Sequence, residues 1–176
     1  TGDENAGTIG HGLSAKPDLI FFKSRDTSDD WGVYHSAIGA TNALTGLSSS
    51  AGLYNYTIFN NTEPTTSVIT LGAAGSVGRY RNNKASTDYI AYCWHGVDGY
   101  SKFGKYEGNA NANGIFVYTG FRPKMIFVKD LDRTESWQTF DTARNTFNPV
   151  DKGLMWNDNG AESTGSGSGF DVDFLS

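Results

Sequence analysis

"KPDLIFFKSRDTSDDWGVYHSA" (residues 16–37) returns as "RPKMIFVKDLDRTESWQTFDTA" (residues 122–143). At a displacement of 106, Pro17 meets Pro123, Ile20 meets Ile126, Phe21 meets Phe127 and Lys23 meets Lys129. Further on, Asp26 meets Asp132, Trp31 meets Trp137, Tyr34 meets Phe140 and Ala37 meets Ala143. The spacing from Pro to Trp is 14 in both copies, without a gap. Each copy reads as strand, turn, strand. A proline opens the first strand, where a missing N–H is tolerated. A β-rich apolar run ending in Lys follows, then a polar turn ("SRDTSDD", "DLDRTES") and a return strand ("WGVY", "WQTF"). Period-two alternation sets Trp31 and Val33 on one face and Tyr34 on the other, and treats Trp137, Thr139 and Phe140 alike. Both tryptophans are expected in the core or between sheets.

Outside this stretch, Gly2 matches Gly108 at the same displacement, and Gly12-Leu13 answers Gly120-Phe121 after a shift of two. Further strands are expected at 67–71, 88–94, 115–118 and 170–174, and Asn113-Gly114 and Asn159-Gly160 are turn signals. One short helix is expected at 36–44, with a counterpart at 142–147. A period of 106 is far longer than the roughly 20–50 residues of solenoid repeats. It suggests two related sandwich-like units, or two halves of one duplicated sandwich. We divide the chain into a first unit, 1–104, and a second, incomplete unit, 105–176, which could pack as one continuous domain. The second has no counterpart of "DYIAYCWHG" (88–96), so a neighbouring segment or another chain completes it, or its sheet is open there.

Composition points the same way. With 22 Gly, 11 Phe, 9 Tyr and 4 Trp but 19% charged residues, the chain suits short strands joined by tight turns. Its net charge of −5 disfavours nucleic acid as a partner, which needs a concentrated basic surface. The small cluster of Arg79, Arg81 and Lys84 reads as a solvated loop. The one cysteine, Cys93, between Tyr92 and Trp94, reads as a small buried hydrophobe. No apolar run approaches the roughly 20 residues of a membrane helix, so no membrane partner is expected. A start at Thr1, without initiator Met or signal peptide, reads as a piece of something longer.

At "IGHGLSAKP", "DYIAYCWHGVDGYSKFGKYEGN", "FVYTGFRPKMIFVKDLD", "SWQTFDTARNTFNPVD" and "FDVDFLS" the chain resembles the repeated β-domain of tail-fibre and other virion-surface proteins of tailed bacteriophages, particularly marine ones. The resemblance implies an all-β, concanavalin-like (jelly-roll type) antiparallel β-sandwich on the virion surface. It implies other virion proteins as partners, a homo-oligomer, and either weak multivalent adhesion to host surface glycan or decoration of the particle.

Candidate chemistry follows from residue types. Asp130, Asp132 and Glu135 echo the E-x-D-x-x-E of sandwich-fold glucanases, where retaining hydrolysis sets two carboxyl groups roughly 5–5.5 Å apart. Here the first position is Asp, the stretch falls in a turn, and the other copy has Ser24 in that place. A solvated turn is the expectation, and a glycan hydrolase is the least favoured function. His11, His35 and His95 lack ligand spacing for zinc, and Asp26, Asp29 and Asp30 offer oxygen for calcium but suit a charged turn. No metal, cofactor or enzymatic activity is expected. Aromatic faces are the natural platform for sugar, with amides and carboxylates for its hydroxyls. Tyr54 and Tyr56, and the run Trp156, Asn157 and Asp158, are the candidate binding residues because they sit in polar loops outside the repeat.

Overall fold

The computed structural model describes residues 1–47, 52–111, 113–164 and 171–175. The strands are β1 (Gly7–Gly10), β2 (Leu19–Ser24), β3 (Gly32–His35), β4 (Ala43–Thr45), β5 (Leu53–Tyr54), β6 (Val68–Leu71), β7 (Tyr89–Trp94), β8 (Met125–Val128), β9 (Gln138–Asp141), β10 (Lys152–Met155) and β11 (Ser163–Thr164). A 3₁₀ turn, Arg79–Arg81, is the only helical element among the described residues. The expected helix at 36–44 and its counterpart are therefore wrong. Residues 36–38 form a turn closed by Ile38 and Gly39 N–H bonds to the His35 carbonyl, residues 40 and 41 form another, and β4 begins at Ala43.

Every named strand pairing is antiparallel. β5-β4-β3-β2-β7 form one sheet, β11-β10-β9-β8 a second, and β1-β6 a third. The chain is thus all-β with stacked antiparallel sheets, consistent with a β-sandwich.

The two quoted segments take the same structure in the same register. Ile20 pairs with Tyr34 and Phe22 with Gly32; Ile126 pairs with Phe140 and Val128 with Gln138. Each pairing recurs 106 residues on. Ser24 Oγ accepts the N–H groups of Asp26 and Thr27, and Asp130 Oδ1 accepts those of Asp132 and Arg133. The short oxygen side chain at this corner is what closes the turn. Lys23 Nζ donates to the Asp29 carbonyl and Lys129 Nζ to the Glu135 carbonyl, again the same pair displaced. The likeness continues through the third strand, where Val33 pairs with Leu44 and Thr139 with Leu154.

Packing explains the composition of each strand. β2 is buried on both faces, which is why it reads as an unbroken apolar run. Ile20, Phe22 and Tyr34 lie under Ile58, Phe59 and Ile69, with Ile9, Leu71 and Cys93 at the margin. The opposite face carries Phe21, Val33 and Leu44 against Trp137 and Phe127 of the second sheet. The counterparts Phe21 and Phe127 meet across this interface, ring centroids 6.3 Å apart. Burying such side chains contributes about 1.5–3 kcal/mol each.

Trp137 is buried as expected and its Nε1–H donates to the Gly46 carbonyl at 2.9 Å. Trp31 is only half-buried, at the margin of that cluster beside Tyr92. Of the expected strands, 115–118 has no partner strand among the described residues. In the stretch 170–174, residue 170 lies outside the described residues, and Val172 makes an isolated bridge to Val150.

Candidate functional site

At each edge of the five-stranded sheet lies a pair of aromatic rings with nearly parallel planes. Tyr54 ends β5, and Tyr56 follows two residues on, past the strand and partly buried. Their rings stack 5.4 Å apart at 16°. Tyr54 is 45% exposed. Behind Tyr56 sits the guanidinium of Arg81, 4.7 Å from its ring centre and 4.5 Å from that of Tyr80. Arg81 is buried, donates to the Tyr80 hydroxyl, and has Asp30 Oδ2 at 3.6 Å from Nη2. The solvated-loop reading of this cluster is thus corrected at Arg81: the 3₁₀ turn aims it inward between two rings, where cation–π attraction adds to packing. Its neighbours Arg79 and Lys84 pair with Glu4 at 3.2 Å and Asp29 at 3.8 Å. Burial raises the Tyr56 phenol's pKa above the usual range, although Arg81 pulls the other way.

On β7, Tyr92 and Trp94 stack 6.2 Å apart at 17°, 43% and 40% exposed. Trp31 extends the row, 6.3 Å from Tyr92. Phe21 supports it from below, edge-on to Trp94 at 5.1 Å. The i, i+2 spacing of Tyr92 and Trp94 is visible in the sequence, but the edge position of the strand is not. Just past β7, a cleft of about 460 Å³ lies between 96–103 and 118–120. Asp18 anchors its wall, accepting Ser36 Oγ–H and the Gly96 N–H, both at 2.8 Å.

The other candidates divide. Trp156 is 48% exposed and leans on Phe127 at 4.5 Å. Asn157, however, holds the chain together: its Oδ1 accepts the Trp137 N–H at 2.8 Å and its Nδ2 donates to Ser136 Oγ at 3.1 Å. Asp158 closes its own turn through the Gly160 N–H. Among the described residues no ring contact or hydrogen bond joins Trp156 to Tyr54 or Tyr56, so the two candidate groups are separate.

Asp130 uses Oδ1 on two turn N–H groups and Oδ2 on Arg133 Nε at 2.9 Å. Partial burial raises its pKa, but the N–H donors and the guanidinium outweigh that and hold it below the usual carboxylate range. Asp26, Asp29 and Asp30 turn to different partners, respectively the Asp88 N–H, Thr27 with Lys84, and Arg81. Among the described residues no three His, Cys, Asp or Glu side chains gather to hold a metal ion. Nor is any helix long and apolar enough to cross a membrane.

No curated protein and no solved structure matches the chain. One family model does, described as a domain of unknown function (DUF7483), and it covers residues 1–176, so the chain belongs to the DUF7483 family.

Proposed function

We propose that this chain is a non-enzymatic module of a phage virion surface that binds host glycan weakly per copy and works by multivalency. We further propose that its two meanders, β2–β3–β4 and β8–β9–β10, are copies of one unit in a concanavalin-like sandwich. The observation that carries the adhesive reading is the two ring pairs with near-parallel planes, Tyr54–Tyr56 and Tyr92–Trp94, at opposite edges of one sheet, with Tyr54, Tyr92 and Trp94 exposed. Rings held flat by neighbours lose little freedom when a sugar face stacks on them, so shallow sites can work. Joining several such sites raises avidity by about 10²–10⁴ without a stronger single contact. The virion setting rests on the resemblance in the sequence.

A second reading, decoration or fibre-shaft scaffolding without ligand, is favoured by the exposed apolar run at 115–118, where Phe116 and Tyr118 are 73% and 71% exposed. The two are separated by presenting the chain singly and on a multivalent scaffold to host cells. Adhesion of the scaffold that falls in Tyr54→Ala or Tyr92→Ala supports the glycan reading. If neither form adheres, while particles lacking the chain adsorb normally but break more easily, decoration replaces it.

A further inference from the structure

We propose that β8 and the extended run 115–118 together form a docking site for a pair of strands of the type that β6 and β7 supply to the first meander. This inference is independent of the glycan reading.

The first meander shows what the site takes. There β2 has β3 on one side and β7 on the other, and its Ile20–Phe22–Tyr34 face is covered by β6 and β1. The second meander keeps β3's counterpart, β9, in the same register, and among the described residues nothing stands where β7 would be. The Thr142 N–H bonds the Lys124 carbonyl at 3.0 Å. Backbone groups alternate in direction along an antiparallel strand. Lys124, Ile126 and Val128 therefore bond toward β9, and Met125 and Phe127 direct N–H and C=O to the open side. In the first meander the same positions, 106 earlier, bond toward β7, as the Arg25 N–H to Asp88 carbonyl bond beyond its end shows.

Three further places match. Gly12 and Gly120 both turn the chain with positive φ, +72° and +88°. The strand before Gly12 pairs with β6, whereas the run before Gly120 lies exposed and unpaired. A methyl on Gly2 would meet the Lys84 carbonyl at 2.3 Å, while one on Gly108 would meet nothing within 4 Å. Among the described residues the cover over Phe140 consists of Ile126, Val150, Val172 and Phe174, without counterparts of the β6 residues Ile69 and Leu71. The vacancies beside β8, at Gly108 and in place of Ile69 and Leu71 thus correspond to one stretch of the first unit, roughly 67–96. An open apolar edge pairs readily with a donated strand.

The test mixes the whole chain with a synthetic peptide of its own residues 67–96, against a scrambled peptide. The expected result is saturable 1:1 binding, with amide exchange slowed at Met125, Phe127 and 115–118. Met125→Pro removes an outward N–H at the first residue of an edge strand, where proline is tolerated, and should weaken binding at least about tenfold. Phe116→Asp lies outside any strand, and should do the same, so the test survives if the proline variant unfolds. Absence of binding, equal binding of the scrambled peptide, or binding indifferent to both variants overturns the proposal. So does self-association of the chain that protects the β8 edge by itself, because a second copy would then be the occupant.

Discussion

Tyr34 and Phe140 hold the same place in two meanders, 106 residues apart, and both are buried. Their surroundings differ. Tyr34 lies among seven other buried residues drawn from strands and loops across the first 70 positions, and its hydroxyl donates to Glu63 Oε2 at 2.6 Å. Phe140 needs no partner for a hydroxyl and is covered by only two other buried side chains, Val150 and Phe174. The tryptophans invert the pattern. Trp137 is sealed between the sheets, while Trp31 sits at the rim beside Tyr92. One local sequence therefore specifies one local structure twice, and burial is decided by what else arrives. The loops between the matched strands are free to differ so long as the strand register is kept.

The largest expected effect comes from the tryptophans. Trp137→Ala should cost about 3–5 kcal/mol, because it opens a cavity under Phe127 and orphans the Gly46 carbonyl. Trp31→Ala, half-exposed, should cost less than half as much. Urea unfolding of the two variants reads the difference; equal losses would break the comparison.

Next come the two glycines. Gly2→Ala should destabilise by about 1–3 kcal/mol, since the contact it meets is backbone that cannot swing aside. Gly108→Ala should change stability by no more than about 0.5 kcal/mol. Thermal melts of the pair decide it, and a harmless Gly2→Ala would show that the loop at 83–87 gives way.

A smaller effect is expected at Glu63, which has no counterpart in the second meander. Its carboxylate takes Tyr34 Oη–H at 2.6 Å, Lys16 at 2.8 Å and the Ala40 N–H at 2.7 Å. Burial pushes its pKa up, but these donors outweigh it and set the folded value below the ordinary one. A depressed folded pKa means stability that is present above the unfolded carboxylate value and lost as pH falls through the folded one. Glu63→Gln should therefore cost about 1 kcal/mol at neutral pH. The gap from wild type should close as pH drops below the ordinary carboxylate range. Unfolding midpoints across acid pH check this, and a gap that widens on acidification would contradict it. Tyr34, whose phenol is held above its usual range first by burial and then by Glu63, should stay neutral through mildly alkaline pH. Ultraviolet titration should show it silent where exposed tyrosines ionise.

The sequence by itself determined the strand–turn–strand units, their register and their corner chemistry. These depend on contacts within about twenty residues: a proline start, a Ser24 or Asp130 turn acceptor, a lysine reaching the turn carbonyl. It also exposed the missing partner of 88–96, because a gap in a repeat is legible as text. Tyr54 and Tyr56 were legible as candidates because they are aromatics in a polar stretch outside the repeat, although Tyr54 belongs to β5 rather than to a loop. The sequence offered Asn157 as a candidate contact, but not that its amide is tied to Trp137, twenty residues earlier in the chain and near only in the fold.

Only the tertiary structure decided that Arg81 turns inward between Tyr56 and Tyr80, and that β7 is an edge strand with Tyr92 and Trp94 half in solvent. The same holds for 115–118, which reads as a strand in isolation. A strand exists only when a partner satisfies its backbone, and burial is a property of the face that arrives, not of the residue that waits for it.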